Sequence, residues 1–386
     1  MKRVCVVVAT LFTARAFLMD QIRALSGSYE VSIAANDDEP GLFESTRVRL
    51  IRLPIARNIS PLSDLKALVS LYRLFRRERF DAVHSVTPKA GLLAMIASCT
   101  ARVPVRVHMF TGQVWATRKG FTRALLKWMD RLLAACATHV LADSASQLAF
   151  LREQRVLPPG RGEVLANGSI SGVDTTRFRP DPALRTLVHM ELDIPAAATV
   201  FVFVGRLKRD KGVLDLAGAF ARIAADTNAF LVLVGPDEEH LAGDVRQAAG
   251  ASAGNLRLVG MTDAPERYMA AGDVFCLPSY REGFGAVIIE AAAAGLPAIG
   301  SRIYGITDAI EDGVTGLLVP PADVESLAAA MRLLADDRGR RNAFAHAARE
   351  RASRYFSREV VTSATIAFYE RILPPARASS VPASGL

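Results

Sequence analysis

Segments typical of β-strands alternate with segments typical of helices along most of the chain, and this alternation limits the possible folds more than any other feature. The first series of strand-like segments contains VCVVVAT, YEVSIAAN, RVRLIRLP, AVHSVT, VRVHMF and HVLADS. Amphipathic or Ala-rich stretches of helix length separate them. Because strands that alternate with helices pair in parallel with helices on both faces, we predict an α/β fold with doubly wound parallel sheets.

The alternation stops once and then restarts. Gly, Pro and polar residues cluster in NGSISGVDTTRFRPDPALRTL, and a second series follows with ATVFVFVGRL, AFLVLVGP, LRLVG, VFCLPS and LPAIGS. A chain of 386 residues that is 51% hydrophobic exceeds one ordinary core. We therefore predict two Rossmann-like domains whose parallel sheets face across a cleft, where open α/β sheets bind their ligands.

The predicted domain boundaries follow from these segments. The N-terminal domain covers residues 1–185 and the C-terminal domain covers residues 186–360, with the change of domain near 178–197. We expect a terminal helix over 361–374 that packs back on the N-terminal domain. The remaining segment, PPARASSVPASGL, is rich in Pro, Ser and Ala, which predicts a disordered tail over 375–386.

Charge is distributed unevenly between the two halves. Residues 1–180 contain 26 lysines and arginines against 14 acidic residues, whereas the remainder contains 21 against 25. This asymmetry predicts an anionic partner for the N-terminal half, either nucleic acid or an anionic membrane surface. Interleaved aromatic residues on a sheet, a recognition helix or a zinc module would support nucleic acid, and the sequence shows none of them.

Two segments of the N-terminal half combine basic and apolar residues at helical spacing. They are DLKALVSLYRLFRRERF (64–80) and TRKGFTRALLKWMDRLL (117–133). Basic amphipathic helices can lie on anionic lipid headgroups, although each segment alone is equally consistent with an ordinary surface helix. The charges proposed to contact lipid are Arg76, Arg77, Arg79, Lys119, Arg123 and Lys127.

The remaining composition favours a cytoplasmic protein that binds a membrane only peripherally. The four cysteines lie far apart without metal or disulfide spacing, which favours a reducing compartment. The apolar start MKRVCVVVATLF is short and soon meets charged residues, so a first buried strand is favoured over a signal peptide. No apolar run reaches the length of about 20 residues that a spanning helix needs.

A basic turn follows the first strand of the second series, in FVGRLKRDKGVLDL. Gly205 permits a tight turn, and Arg206 and Lys211 precede a helix that begins near Gly212. Cations beside a helix N-terminus favour a bound anion such as a diphosphate. A solvated basic turn is the ordinary alternative, and the segment is not a P-loop because it lacks G-x-x-x-x-G-K-[ST].

A second motif, REGFGAVIIE, follows the strand VFCLP. Gly283 and Gly285 free backbone N–H groups at the N-terminus of a helix predicted from about Ala286, which makes a second site for an anion or hydroxyl group. Glu282 and Glu290 are acceptors suited to the hydroxyl groups of a sugar and a ribose. The ordinary alternative is that Glu282 caps the helix and Glu290 forms an ion pair.

Taken together, GRL…KG, E-G-F-G-x4-E, AxAxGxPxIGS and DGxTGLLVPPxD resemble the retaining GT-B glycosyltransferases of family 4 over almost the whole chain. The resemblance implies that Arg206 and Lys211 neutralise the donor diphosphate, Glu282 contacts the donor sugar and Glu290 holds the ribose. Arg206, Lys211 and Glu282 are thus the expected catalytic residues. The full set expected at the donor is Gly205, Arg206, Lys211, Glu282, Gly283, Phe284, Gly285, Ala286 and Glu290.

Segments of the N-terminal half, HSVTPKAGLLAMIAS, HMFTGQVWATRKG and NGSISGVD, resemble the subgroup that extends lipid-linked sugars of bacterial O-antigen, capsule and glycoprotein glycans. The residues expected at the acceptor are His84, Thr87, Lys89, Thr111 and Gly112, with Lys89 close to an acceptor phosphate or, equally, a structural helix-start lysine. Many family members have His-Gly where this chain has Thr111-Gly112. We therefore put little weight on a catalytic histidine. His108 is equally consistent with an ordinary strand residue, and His84 is favoured as the histidine in the cleft.

These observations predict a retaining hexosyltransferase or N-acetylhexosaminyltransferase that uses a nucleotide sugar, with UDP as the expected nucleotide, and an undecaprenyl-diphosphate-linked saccharide. The predicted location is the inner face of the plasma membrane. No Asp-x-Asp pair follows a strand in the cleft region, so we expect neither a metal nor another cofactor. An enzyme with a soluble acceptor is the alternative, and a nucleic-acid-binding protein is a distant one.

Overall fold

The computed structural model describes residues 1–37, 43, 47–55 and 60–374. These residues form two sheets of six parallel strands each, in the orders β3-β2-β1-β4-β5-β6 and β12-β11-β10-β7-β8-β9. The predicted disordered tail over 375–386 lies outside the described residues. Each strand-like segment found in the sequence contains a strand, and the α/β prediction is confirmed.

The first sheet and its helices are formed by residues 3–153. The strands are β1 (Arg3–Val7), β2 (Glu30–Ala35), β3 (Arg49–Arg52), β4 (Ala82–Ser85), β5 (Val105–Phe110) and β6 (His139–Ala142). The helices are α1 (Leu11–Phe17), α2 (Met19–Ser26), α3 (Pro61–Glu78), α4 (Pro88–Thr100), α5 (Gly120–Cys136) and α6 (Ala145–Glu153), and Val114–Thr117 forms a 3-10 turn.

The second sheet and its helices occupy residues 182–356. The strands are β7 (Thr199–Val204), β8 (Ala229–Val234), β9 (Leu256–Gly260), β10 (Val274–Leu277), β11 (Ala298–Ser301) and β12 (Gly316–Val319). The helices are α7 (Pro182–Glu191), α8 (Val213–Ala224), α9 (Ala242–Ala249), α10 (Pro265–Ala270), α11 (Ala286–Ala293), α12 (Ile306–Ala309), α13 (Val324–Asp336) and α14 (Arg338–Phe356). Short 3-10 turns cover Arg209–Lys211 and Gly250–Asn255.

Central strands such as β4 and β8 are buried on both faces, as expected when helices cover a parallel sheet, whereas the edge strand β3 is partly exposed. In β4, Val83 packs in the cluster formed with α3, α4 and α5, whereas Ala82 packs in the cluster on the opposite face. Successive side chains of a strand point to opposite faces. His84 therefore lies on the same face as Ala82.

The final helix, α15 (Arg358–Ile372), packs against α2 of the first domain. Phe368, Tyr369 and Leu373 belong to the hydrophobic cluster of the first sheet. The Tyr29 hydroxyl donates a hydrogen bond to the carbonyl of Leu373 at 3.0 Å. The N-terminal domain therefore contains a segment that follows the entire C-terminal domain in sequence.

The two passages of the chain between the domains lie side by side. Val173 N donates to Phe356 O at 2.8 Å, and Arg358 N donates to Val173 O at 2.9 Å. Gly172 has φ +68°, and a Cβ there would lie 2.8 Å from Ser357 O. Glycine at this position thus allows the outgoing and returning segments to pair.

The domains also touch across the cleft. Ser144 Oγ donates to Gly283 O at 3.0 Å, and Gly305 N donates to Ser146 Oγ at 2.7 Å. The rings of Phe150 and Tyr304 stack with centroids 4.4 Å apart. Among the described residues, no helix has both the length and the apolar character needed to cross a bilayer.

Candidate active site

The basic turn of the second domain begins where β7 ends and is held against the loop that follows β10. Gly212 adopts φ +69° as the residue that precedes α8, and a Cβ there would lie 2.1 Å from Pro278 O. Only glycine allows this approach without displacing the backbone. The contact brings the turn that carries Lys211 beside the loop that carries Glu282.

Lys211 and Glu282 form an ion pair. Their side chains are only 18% and 14% exposed, and Ser279 Oγ donates to Glu282 Oε1 at 2.9 Å. The two motifs are separated by 71 residues in sequence, so the fold itself brings this cation and this carboxylate together.

The other cations of the turn are also paired with acids. Arg206 Nη1 lies 3.1 Å from Glu238 Oε2 in a solvent-accessible pair, and Lys208 lies 3.6 Å from the same atom. Arg281 Nη2 lies 2.9 Å from Asp210 Oδ2. The edge of the second sheet therefore holds several cations that pair with carboxylate side chains. An incoming diphosphate can replace these carboxylates.

The N-terminus of α11 lies at the same edge. Gly285 precedes it with φ +80°, a left-handed conformation that glycine adopts without strain. Phe284 is 2% exposed and its ring packs on Phe356 with centroids 5.1 Å apart. Phe284 can therefore offer a ligand only its backbone. Gly283, Gly285 and Ala286 can likewise offer backbone N–H groups at the start of α11.

Glu290 lies one turn further along α11. Burial raises the pKa of its carboxyl to about 7, against the opposing effect of the Arg177 charge and with a smaller contribution from Glu266. The Arg177 charge is itself shared with Glu266, 2.9 Å away. Glu290 is thus a weakly compensated acid, ready to accept hydrogen bonds from hydroxyl groups.

The N-terminal domain contributes Thr111 and Gly112, which follow β5 and meet the donor loop directly. Gly112 has φ +115°, and a Cβ there would lie 3.1 Å from Gly283 N. A Cβ on Gly283 would lie 2.5 Å from Thr111 O. These two glycines let the predicted acceptor loop and the predicted donor loop approach backbone to backbone.

Thr87 and Lys89 lie at the N-terminus of α4, as the sequence predicted. Lys89 Nζ is 2.5 Å from Asp64 Oδ1 of α3, and both side chains are 19% exposed. Asp64 also accepts a hydrogen bond from Ser60 N at 3.1 Å, so it is fixed at the start of α3. An acceptor phosphate at Lys89 has to compete with this carboxylate.

His84 does not lie where we expected it. It is 5% exposed, and its Nδ1 lies 2.8 Å from the hydroxyl of Tyr369 on α15. Because side chains alternate between faces, this position in β4 turns the imidazole under the terminal helix. The prediction that His84 contacts an acceptor therefore has no support from the structure.

His108 is a packing residue of the first sheet. Its Nδ1 lies 2.8 Å from Ser85 Oγ, and its ring lies under Gly91 of α4, where a Cβ would come within 2.5 Å of it. Burial lowers the pKa of His108 to about 3, with a smaller contribution from His84. The imidazole therefore stays neutral at physiological pH.

Three polar residues at the cleft were missed in the sequence. Asp143 directly follows β6, Gln113 lies two residues after Thr111, and Tyr304 follows β11. All three have a buried side-chain atom without a hydrogen-bond partner in the described part of the chain. A polar residue directly after a buried parallel strand was the available signal for Asp143, because ligands bind at that edge of the sheet.

The described residues contain no cluster of three or more His, Cys, Asp and Glu side chains arranged to hold a metal ion. Arg206, Lys208 and Lys211 place three positive charges at one edge of the second sheet.

Two Rossmann-like domains that face across a cleft, with cations, carboxylates and a helix N-terminus at one edge of the second sheet, match the architecture of the GT-B class of glycosyltransferases. A sequence model of the glycosyl transferases group 1 matches residues 186–351, and one of the glycosyl transferase 4-like domain matches residues 13–168.

Individual relatives agree with this class. The capsular polysaccharide biosynthesis glycosyltransferase CapM of Staphylococcus aureus is 30% identical over 324 residues, which are 83% of this chain and 84% of the relative. The UDP-Gal:alpha-D-GlcNAc-diphosphoundecaprenol alpha-1,3-galactosyltransferase of Escherichia coli is 31% identical over 299 residues, 75% of this chain and 76% of the relative. The chain therefore belongs to the GT-B glycosyltransferases and is a glycosyltransferase enzyme.

A solved structure shares the fold. Anabaena Alr3699/HepE in complex with UDP-glucose superposes with a TM-score of 0.78 at 21% identity, covering 96% of this chain and all of that one. At this identity the likeness supports the two-domain architecture alone.

Proposed function

We propose that this enzyme transfers a hexose or N-acetylhexosamine, with retained configuration, from a UDP-sugar to an undecaprenyl-diphosphate-linked saccharide. The observation that carries the proposal is the meeting of Lys211, Glu282 and the N-terminus of α11 at one edge of the second sheet. The relatives that act in capsule assembly and on a diphosphoundecaprenol-linked sugar support the class of acceptor.

In this proposal the donor diphosphate binds Arg206 and Lys211 and the N–H groups that precede α11. As the bond between the anomeric carbon and the phosphate oxygen breaks, negative charge grows on the diphosphate, and these groups stabilise it. The acceptor hydroxyl attacks from the same face and passes its proton to the leaving phosphate, so no protein base is needed. Once the diphosphate has replaced Glu282 as the partner of Lys211, Glu282 accepts a hydrogen bond from a hydroxyl group of the donor sugar.

Metal-independent transfer is part of the proposal, and chelation tests it. Transfer in the presence of EDTA should proceed at the untreated rate, because cations and helix dipoles neutralise the diphosphate. If EDTA abolished transfer and Mg²⁺ restored it, the metal-free mechanism would be wrong.

The donor can be identified by thermal stabilisation with a panel of sugar nucleotides. A ligand present at about 100 times its dissociation constant adds roughly 2.7 kcal/mol to the free energy of unfolding. Stabilisation by UDP-sugars over those of other bases is expected. If no sugar nucleotide stabilised the protein, the proposed donor site would be rejected.

The acceptor proposal includes association with an anionic membrane at the inner face of the plasma membrane. On α3, Leu62 and Leu65 are 85% and 59% exposed, and on α5, Phe121 and Trp128 are 81% and 56% exposed. Exposed apolar side chains interleaved with basic ones are typical of helices that lie in a lipid interface. Transfer to a soluble acceptor is the alternative. It predicts that the protein does not bind liposomes and that liposomes do not accelerate sugar transfer.

A further inference from the structure

Two of the four cysteines meet at one end of the first domain. Cys99 lies in the last turn of α4, and Cys136 is the last residue of α5. The two helices pack against each other, and the Cys136 thiol donates a hydrogen bond to the Cys99 sulfur. The two residues are far apart in sequence, so the fold rather than a local motif brings their thiols together.

This end of the domain is remote from the cleft. The chain enters β5 at Val105 shortly after Cys99, and it enters β6 at His139 shortly after Cys136. Open α/β sheets bind their ligands beyond the carboxyl ends of the strands, which is the opposite edge of the sheet. A reaction of these thiols therefore does not touch the residues proposed to bind the donor or the acceptor.

Hydrogen bonds to the backbone hold the surroundings of the pair in place. Arg106 Nε donates to Cys136 O at 2.6 Å, and its Nη1 donates to Val103 O at 2.6 Å. Arg161 Nη2 donates to Ala137 O at 2.5 Å. One guanidinium thus joins the end of α5 to the segment that follows α4, and a second one fixes the residue after α5.

Exposure and charge distinguish this pair from the other two cysteines. Cys99 and Cys136 are partly exposed, whereas Cys5 and Cys276 are 0% exposed. The charge of Arg106 favours the thiolate form of Cys136. Cysteines that react are typically partly exposed beside a cation, whereas cysteines buried among apolar residues are inert. Two adjacent thiols with these surroundings are suited to oxidation as a pair.

The two thiols differ in their readiness to attack. Burial, followed by the charge and the hydrogen bond of Cys99, raises the pKa of Cys136 against the smaller opposing effect of Arg106. The thiolate rather than the thiol is the nucleophile. Cys136 therefore keeps its proton while Cys99 attacks first.

We propose that Cys99 and Cys136 are a modification site at which a small-molecule disulfide, such as glutathione disulfide, oxidises the pair to a disulfide that joins α4 to α5. The site goes beyond the proposed function and does not depend on it.

The reaction consists of two thiol–disulfide exchanges. The Cys99 thiolate attacks one sulfur of glutathione disulfide, whose S–S bond breaks, and the first glutathione leaves with the proton that Cys99 has lost. The Cys136 thiolate then attacks the Cys99 sulfur of the mixed disulfide, and the second glutathione leaves with the proton of Cys136. Two protein thiols are thereby oxidised and one reagent disulfide is reduced. An external thiol reverses both steps.

The new bond closes the part of the chain that contains β5 and α5. A disulfide stabilises a protein mainly by restricting the unfolded chain, and a longer closed loop gives a larger effect. We therefore expect the oxidised protein to unfold several degrees above the reduced protein. Both forms should bind UDP equally, because the site lies away from the cleft.

The experiment incubates the folded full-length protein with glutathione disulfide and identifies the products by mass spectrometry of non-reduced peptides. The expected product is a peptide pair joined through Cys99 and Cys136, which dithiothreitol separates again. Cys136→Ser should stop at a glutathione adduct on Cys99. The double variant Cys99→Ser with Cys136→Ser should show neither the cross-link nor the rise in melting temperature.

Cys5 and Cys276 are internal controls, because as buried thiols they should react only after the protein is denatured. The proposal would be overturned if the folded parent gained no cross-link, or if its adducts at Cys99 and Cys136 did not convert to one. Equal rates of adduct formation in Cys99→Ser and Cys136→Ser would refute the order of attack. An unchanged melting temperature in the cross-linked protein would refute the stabilising effect.

Discussion

Glu290 combines a raised pKa with its predicted role as the residue that holds the donor ribose. Its pKa of about 7 means that the folded protein binds a proton here where the unfolded chain, with an ordinary glutamate, has already lost it. Stability therefore falls as pH rises from the ordinary value of 4.5 through about 7. Ribose hydroxyl groups prefer the ionised form, since a carboxylate accepts more strongly.

We predict that UDP binds more weakly as pH falls below about 7, because Glu290 becomes protonated. Glu290→Gln should weaken UDP binding at alkaline pH by about 1.5 to 3 kcal/mol, the contribution of a hydrogen bond to a charged group. It should also raise the melting temperature of the unliganded protein at alkaline pH, because no buried charge remains. Calorimetric titration and thermal unfolding across pH measure both effects, and an unchanged pH dependence in the variant would exclude Glu290 as the titrating group.

Glu282→Ala should affect catalysis more than binding of the free nucleotide, since Glu282 is proposed to contact the sugar. Its loss leaves Lys211 without its carboxylate partner, so affinity for UDP should stay the same or increase. Measurements of kcat and of the UDP dissociation constant decide this. Equal losses of UDP affinity in Glu282→Ala and Glu290→Ala would refute the assignment of the two carboxylates to different ends of the donor.

Glu78, the last residue of α3, forms ion pairs with three arginines: Arg3 of β1, Arg49 of β3 and its neighbour Arg77. Arg3 Nη2 lies 2.8 Å from its carboxylate, and Arg49 Nη1 and Arg77 Nη2 each lie 3.0 Å from it. Hydrogen bonds from Arg3 first and then from Arg49 lower the pKa of Glu78 to about 2. The pKa is depressed, so its contribution to stability is complete above about 4.5 and disappears as pH falls to about 2.

Glu78→Gln should lower the free energy of unfolding at neutral pH by about 1 to 3 kcal/mol. The difference between parent and variant should shrink as pH falls below 4.5. Glu30→Gln is the matched control, because Glu30 also pairs with Arg3 but is 52% exposed, where ion pairs contribute about 0 to 1 kcal/mol. Denaturant titrations at several pH values test this, and a difference that stays constant down to pH of about 2 would contradict it.

At the scale of elements, α3 and α5 differ in which charges they leave accessible. Arg76, Arg77 and Arg79 are exposed at the end of α3, and Lys119 precedes α5 in the solvent. Arg123 and Lys127 instead lie 5.8 and 5.5 Å from the Trp115 ring centroid, and both donate to Gln154. On α5, the exposed apolar side chains Phe121 and Trp128 are therefore more accessible to lipid than Arg123 and Lys127.

Replacing Leu62, Leu65, Phe121 and Trp128 by Ser should therefore reduce sedimentation with anionic liposomes even at high salt. Removal of the exposed cations should reduce it at low salt only, since charge attraction is screened beyond about 8 Å at physiological ionic strength. Leu187→Ser with Met190→Ser on α7 is the matched control, because these side chains are 55% and 75% exposed on the other domain. Parental binding by the four-residue variant would show that α3 and α5 are ordinary surface helices.

Elements were largely predictable because local patterns determine them. Buried runs such as VFVFV predict central strands, and Thr87-Pro88 predicts the start of α4 since proline favours the first turn of a helix. The surroundings of His84 were not predictable, because the residue that covers it, Tyr369, lies 285 positions away. The contacts of Arg123 and Lys127 with Trp115 and Gln154 were not predictable either, because no local pattern indicates them.

For the whole molecule, the approach of Gly112 and Gly283 makes closure of the two domains depend on the absence of side chains. Gly283→Ala should prevent the observed contact, since its Cβ would lie 2.5 Å from Thr111 O and 2.8 Å from Asp143 Oδ2. Transfer should fall by at least tenfold while UDP affinity stays near the parental value. Gly243→Ala, where a Cβ has no atom within 4 Å, is the control. Parental activity in Gly283→Ala would show that this contact is not needed.

The sequence predicted a donor site at Lys211, Glu282 and Glu290 from residue types and local structure, and this assignment stays a prediction. It did not predict that Lys211 pairs with Glu282, or that Thr111 of the other domain lies against Gly283. Asp143 and Gln113 are buried at the interface with the second domain, and no sequence periodicity predicts a domain interface. The pairing of Lys89 with Asp64 is likewise a tertiary contact between α3 and α4.

Because α15 completes the cluster that contains Tyr29 and Phe368, the first domain cannot finish folding in the order in which it is made. During synthesis at about 5 to 20 residues per second, its sheet waits with an apolar face uncovered while the second domain emerges. A nascent chain stalled before residue 358 should accordingly recruit chaperones through that face. The returning segment thus makes completion of the N-terminal domain depend on prior synthesis of the C-terminal domain.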